Sequence, residues 1–235
     1  MYVSIHLPAR KLSCLKILCK SDFVSVFNLQ PKSKSMKNFI ISEFTKTHEL
    51  FGKILRDEKL QKNIEIVANL CITALRNGKK IMFCGNGGSA ADSQHLAAEL
   101  VSKLSYDRPA LNAISLTVDT SALTAIGNDY GYLYSFSRQV DAIGNEGDVL
   151  IGISTSGRSK NVVEALKSAK AKKIITIGLL GENGRDIGEM VDCQINIPSD
   201  ETPKIQEGHI AAGHIFCALI EDAFFGATHN PKNKK

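Results

Sequence analysis

Apolar positions recur at helical spacing from Met36 to about Leu55 and again from Glu58 to Arg76, where Asn77-Gly78 supplies a stop. The pattern then changes. Lys80-Ile81-Met82-Phe83-Cys84 and Asp148-Val149-Leu150-Ile151-Gly152-Ile153 are compact, mainly apolar runs, which suits strands buried on both faces of a parallel sheet. Around them the two periods alternate. Helices are predicted over 90–104, over 119–141 with a break at Gly127-Asn128-Asp129-Tyr130-Gly131, over 160–170 and over 203–225; strands are predicted over 112–117, 148–153, 173–180 and 193–198. This order predicts an α/β fold: a doubly wound, mainly parallel five-stranded sheet flanked by helices, with two N-terminal helices ahead of it and ligands at the carboxyl ends of the strands.

Two of the predicted strands end alike. The first runs into Gly85-Asn86-Gly87-Gly88-Ser89 and the third into Ser154-Thr155-Ser156-Gly157-Arg158-Ser159, each followed by a helical pattern. Glycines let the backbone approach a ligand closely, hydroxyls donate, and a helix N-terminus adds free N–H groups and a positive partial charge, so each junction is an anion cradle. Two cradles on one sheet imply a phosphorylated ligand with a polar body. The competing reading is a dinucleotide fingerprint, Gly85-x-Gly87-x-x-Ala90. It needs an acidic residue about 20 positions further on to hold a ribose; the nearest candidate, Asp119, stands 29 residues after Ala90, and the second cradle is left without a role.

Composition narrows the partners. The formal charge is +5, but residues 1–35 carry Arg10, Lys11, Lys16, Lys20, Lys32 and Lys34 against Asp22 alone, so the remaining 200 residues are neutral and offer no nucleic-acid footprint. Residues 1–35 show no clear period and are expected to be a disordered or non-native extension. The domain is expected over 36–228, with a basic tail over 229–235. Lys11, Lys16 and Lys20 interrupt any apolar core of a signal peptide, and nothing approaches the ~18 apolar residues of a membrane span. The six cysteines are scattered without a C-x-x-C pair, which fits free buried thiols in a reducing, cytoplasmic setting.

Candidate chemistry sits on two helices. His95 and Glu99 stand four apart and share a face directly after the first cradle, as a metal pair or an acid/base pair requires; a solvated helix pair is the plain alternative. Asp92, one turn earlier, suits the helix dipole. The last helix carries Gln206, Glu207, His209 and His214 in an apolar stretch, where a hydrogen-bonded core histidine is the plain reading of either histidine. Gln206 and His214 are eight residues apart, about 12 Å along a straight helix, so spacing alone does not establish a shared metal.

Taken in order, Gly85-Asn86-Gly87-Gly88-Ser89, His95-Leu96-Ala97-Ala98-Glu99, Gly127-Asn128-Asp129, Gly147-Asp148-Val149-Leu150, Ser154-Thr155-Ser156-Gly157 and Ile205-Gln206-Glu207 closely resemble the phosphoheptose isomerases, sugar-isomerase (SIS) domain proteins with a flavodoxin-like sheet. The likeness covers about residues 37–226. It implies an isomerase that interconverts sedoheptulose 7-phosphate and D-glycero-D-manno-heptose 7-phosphate through an enediol, for nucleotide-activated heptose and the lipopolysaccharide core. It further implies that Asn86, Gly87, Gly88, Asn128, Asp129, Ser154, Thr155, Ser156 and Ser159 hold the sugar phosphate, and that Glu99 and Gln206 touch it. One zinc ion per subunit would be held by His95, Glu99, Gln206 and His214.

By the same likeness, Glu99 is the base and His214 the proton donor, and the protein is a homotetramer. A carboxylate cannot readily be a tight ligand and a free base at once, so Glu99 would loosen from the metal, or the metal would be structural. Arg158 stands where the family has Asn and is expected to face solvent. Two rival readings are isomerisation of another sugar phosphate and a non-catalytic SIS-domain protein that binds the replication initiator. In the latter the acid of the H-x-x-x-E pair and the histidine eight after the glutamine are replaced, whereas both are present here.

Overall fold

The computed structural model describes residues 35–229, so the expectations for residues 1–34 and 230–235 lie outside the described part. The first unit, up to Glu43, contributes the opening turns of helix α1 (Met36–Arg56). The second, from Phe44 onward, holds everything else: α2 (Glu58–Arg76), β1 (Ile81–Gly85), α3 (Gly88–Val101), β2 (Ala113–Ser115), α4 (Thr120–Asp129), a 3-10 turn (Tyr132–Tyr134), α5 (Ser137–Ile143), β3 (Val149–Ser154), α6 (Lys160–Ala171), β4 (Ile175–Gly181), α7 (Arg185–Gly188), β5 (Cys193–Ile197) and α8 (Thr202–Phe225).

All four strand pairings are parallel and the order is β2-β1-β3-β4-β5, the flavodoxin-like arrangement that the likeness implies. Successive strand residues face opposite layers, so the apolar runs divide between two cores. Ile81, Phe83, Ile151, Ile153 and Leu179 pack with α2, α3 and α8; Met82, Cys84, Leu150 and Leu180 pack with α5 and α6. This is why the strands read as continuous apolar segments rather than alternating ones. Burial pushes the thiols of Cys71 and Cys84 up to about 12, so they stay protonated and act as small apolar groups.

The boundaries moved for identifiable reasons. The strand expected from Lys173 starts at Ile175, because Lys173 adopts φ +57 in the turn that feeds it. The helix break expected over 127–131 falls at its end: α4 runs through Gly127 to Asp129, and Gly131, at φ +90, turns the chain. The four-residue α7 is too short to show a period and was missed. Among the described residues no helix is long and apolar enough to cross a membrane.

Below the sheet's amino ends lies a buried ion pair. Lys80 Nζ stands 2.5 Å from Asp148 Oδ2, and the same carboxylate accepts from Lys80 N at 3.0 Å and from Asn145 N at 2.8 Å. It ties the entry of β1 to that of β3, the two strands that carry the cradles.

A second buried polar group sets the acid response of the core. His209 on α8 is fully buried, with Nε2 3.0 Å from the Leu180 carbonyl oxygen and Nδ1 without a hydrogen-bond partner, and burial lowers its pKa from 6.5 to about 4. The unfolded chain therefore takes up this proton first. His209 stabilises fully above about pH 6.5, and that contribution, about 3 kcal/mol, is lost as pH falls toward 4. Urea midpoints between pH 7 and 4 should fall with a slope near one proton, and His209→Gln should flatten it. Glu221 and Asp192, both held below the ordinary carboxylate range by hydrogen bonds to backbone N–H groups and by cations, act only at lower pH.

Candidate active site

β1 and β3 are neighbours, although β2 intervenes in sequence, and their register sets Gly85 beside Ile153. The chain leaves β1 toward β2 on one side and resumes at β3 on the other, so the crevice at their carboxyl ends is the topological switch point of the sheet. Both cradles open there.

Each cradle is built around a glycine in the left-handed region, Gly87 at φ +57 and Gly157 at φ +64, where other residues are strained. The N-cap residues of α3 and α6, Gly87 and Ser159, make no side-chain cap bond, and although Asn161 Oδ1 takes up Val162 N, the leading N–H groups of each helix are left for an anion. In the second cradle the hydroxyls face one another: Ser154 Oγ lies 2.9 Å from Ser159 Oγ and 3.4 Å from Ser156 Oγ. The first is anchored to the second by a reciprocal amide pair. Asn86 Nδ2 donates to Asn161 Oδ1 and Asn161 Nδ2 to Asn86 Oδ1, both at 2.9 Å, while Tyr132 Oη donates to Asn86 Oδ1 at 2.8 Å and Asn161 Nδ2 to Ser135 Oγ at 3.2 Å.

Asn161, Tyr132 and Ser135 were missed from sequence; the one available signal was a buried-type helix bearing Asn two residues after a cradle serine. Beside the second cradle a cavity of about 250 Å³ is lined by Thr155, Ser156, Arg158, Arg185, Thr202 and Ile205, among others. Arg158 is well exposed at its rim and 3.9 Å from Asp186, as expected of a solvent-facing side chain.

The acid/base and metal candidates meet on the face shared by α3 and α8. His95 Nε2 lies 2.8 Å from His214 Nε2 and 3.1 Å from Glu99 Oε1, and one ligand atom from each of the three residues falls within 4.8 Å of the others. Two imidazole nitrogens and a carboxylate oxygen aimed at one point are a zinc-compatible donor set that leaves a fourth position open. The Glu99 side chain is 16% exposed and that of His95 47%, so the carboxylate lies inside and the imidazole at the rim.

Gln206, the fourth ligand the likeness implies, lies on the same helix as His214, with its amide at the start of α3. α8 is continuous from Thr202, so its eight-residue separation from His214 is not shortened by an irregular start, and its amide rests against Gly88 at the first cradle. That contact is possible only because Gly88 lacks a side chain. A methyl there would collide with the Gln206 amide, a flexible group that can swing aside. Gly88→Ala should therefore fold normally while weakening sugar-phosphate affinity about 10–100-fold, the range seen when a site's supporting group is displaced, as KM would read.

Asn128 and Asp129 end α4 in exposed positions, Asn128 Nδ2 donating to Asp129 Oδ1 at 2.8 Å. They stand four and three residues before Tyr132, whose hydroxyl reaches Asn86. Asp92 departs from its expected role: α3 begins at Gly88, two residues early, so Asp92 lies beyond the first turn, where the dipole fades. Burial pushes its carboxyl up, only partly offset by His95, and Oδ2 has no hydrogen-bond partner.

A parallel sheet with two anion cradles at its switch point and a His-Glu-His cluster on α3 and α8 is the plan of a sugar-phosphate isomerase domain, and a family model described as the SIS domain matches residues 45–181. A phosphoheptose isomerase of Burkholderia pseudomallei is 50% identical over 188 residues, 80% of this chain and 95% of its own, and one from Clostridium acetobutylicum is 52% identical over 191 residues, 81% and 97%. The solved phosphoheptose isomerase from Neisseria gonorrhoeae aligns with TM-score 0.75 and 42% identity over 80% of this chain and all of that one. The chain belongs to the phosphoheptose isomerase family.

Proposed function

We infer that this protein is a sedoheptulose 7-phosphate isomerase, interconverting that ketose and D-glycero-D-manno-heptose 7-phosphate. The observation that carries the reading is the convergence of His95, Glu99 and His214 beside two phosphate cradles joined by the Asn86–Asn161 pair.

Moving a carbonyl between C1 and C2 requires removing a proton from one carbon and returning it to the other through an enediol. The second cradle, Ser154, Thr155, Ser156 and Ser159 with the N-terminus of α6, holds the phosphate. Asn86, Gly87 and Gly88 close over the sugar, Asn128 and Asp129 bind its hydroxyls, and Gln206 touches substrate from its place at Gly88. Glu99, the more enclosed of the carboxylate–imidazole pair, moves the proton between the carbons. His214 gives and takes the proton on the oxygen. Zinc fits His95, Glu99 and His214, and when bound it would polarise the carbonyl as a Lewis acid; Glu99 serves as base only while it is loosened from the ion.

The same reading makes the protein a cytoplasmic homotetramer that supplies heptose for nucleotide activation and for lipopolysaccharide core. Its cysteines, the charge-neutral body and the relatives' printed activity support this. The replication-initiator-binding alternative lacks support because Glu99 and His214 are present and converge.

Purified protein given sedoheptulose 7-phosphate should form the aldose, and more slowly after chelator treatment. No turnover with zinc supplied would sink the reading in favour of another sugar phosphate or a binding role.

A further inference from the structure

The helices that carry the His-Glu-His cluster run parallel with their contacts in step. Gln206 rests on Gly88, Gly213 on Leu96, His214 on His95, and Glu221 on Leu104 and Ser105. At the level of the cluster the approach is limited only by glycine: a Cβ on Gly213 would stand 2.5 Å from Leu96 Cδ2.

Beyond the cluster, the chain leaving α3 wraps the Glu221 carboxylate. Oε1 accepts from Leu104 N at 2.9 Å and Arg108 Nε at 3.1 Å, and Oε2 accepts from Ser105 N at 2.9 Å. Arg108 turns back to the end of α3, donating Nη1 to Leu100 O at 2.6 Å and to Pro109 O at 2.9 Å, and Nη2 to the Glu99 carbonyl oxygen at 2.7 Å. The two side chains are 0% and 1% exposed. One guanidinium thus joins the last carbonyls of α3, including that of Glu99 itself, to a carboxylate two turns beyond His214 on the same face of α8.

Net stability is a weak reason for such a pair, because a buried ion pair costs nearly as much desolvation as it returns in attraction. A planar fork with five fixed donors does supply geometry. We propose that Arg108 and Glu221 are positioning residues for the reaction: their brace sets the axial register of α3 against α8 and so keeps His95 and Glu99 within reach of His214. Neither side chain touches the ligating atoms of the cluster; the link to it is Arg108 Nη2 on the Glu99 backbone carbonyl. A slide of α3 along α8 would part the two Nε2 atoms while leaving the sheet intact. The inference rests on reading the cluster as the zinc and acid/base site.

The test uses full-length Arg108→Lys and Glu221→Gln. The first keeps the charge but loses the fork; the second keeps the shape but gives up one acceptor. Val140→Ala in α5, in the core on the other face of the sheet, serves as a destabilised control. Zinc affinity is read by competition with a chelator of known affinity, together with the thermal midpoint, kcat and KM.

Both brace variants should bind zinc about 10–100-fold more weakly and lose kcat by a similar factor at nearly constant KM, whereas Val140→Ala lowers only the midpoint. Brace variants that melt earlier but match Val140→Ala in zinc affinity and kcat would overturn the proposal. Should Arg108→Lys fail to fold, Glu221→Gln decides. Wild-type protein that binds no zinc refutes the metal reading instead, and the brace is then judged on the kcat-against-KM split.

Discussion

Glu99→Gln leaves a folded protein whose isomerase turnover falls about 10²–10⁴-fold, the range a positioned general base contributes. The substitution is nearly isosteric and keeps one oxygen to face His95, so α3 and its packing on α8 are preserved. What it removes is the ability to take a proton from carbon. KM for the sugar phosphate should move little if, as proposed, the second cradle holds the phosphate, because that cradle leads into α6, a separate element from α3. The measurement is kcat and KM with sedoheptulose 7-phosphate, beside a thermal melt that shows the variant folded. Activity surviving within about tenfold would transfer the base role to another group; Asp92, whose carboxyl burial already pushes up, is the first to test.

Asp148→Ala should cost about 3–5 kcal/mol, as expected when one partner of a buried ion pair is removed and the other is stranded. The carboxylate is 2% exposed and meets Lys80 through both side chain and backbone, and Asn145 through its N–H, so the loss strands two backbone donors as well as a cation whose side chain is only 16% exposed. The urea midpoint should fall sharply with little change in slope. Because the pair ties the entries of the two cradle-bearing strands, the protein that remains folded should bind sugar phosphate normally; the site lies at the opposite end of the sheet. Replacing both partners, Lys80→Met with Asp148→Leu, should recover part of the loss. A single-site cost under about 1 kcal/mol would place the pair among solvent-screened ones.

The comparison between sequence and structure turns on particular residues. Helix α2 was read to the residue, Glu58–Arg76, because its apolar period is long and Asn77-Gly78 follows it. Gly87 and Gly157 marked the cradles because local backbone geometry demands glycine there, and the His95–Glu99 pair was legible because four residues make one helical turn. Gln206 was grouped with the metal ligands by the family pattern and not by spacing; a continuous α8 sets it two turns from His214, with its amide at Gly88.

By itself, then, the sequence determined what short-range physics can encode: the alternation of strand and helix, the left-handed turns that make anion cradles, and the one-turn acid/base pair. Which strands become neighbours was decided by the tertiary structure alone. β1 pairs with β3 across 68 residues from Ile81 to Val149, and only that pairing brings the two cradles to one crevice and Asn86 to Asn161. Likewise His214 reaches His95 because Gly213 lets α8 settle against Leu96. The reason is the same in both cases: burial of apolar faces is non-directional, so a periodic pattern specifies that a face is covered, while its partner is selected only when the layers pack.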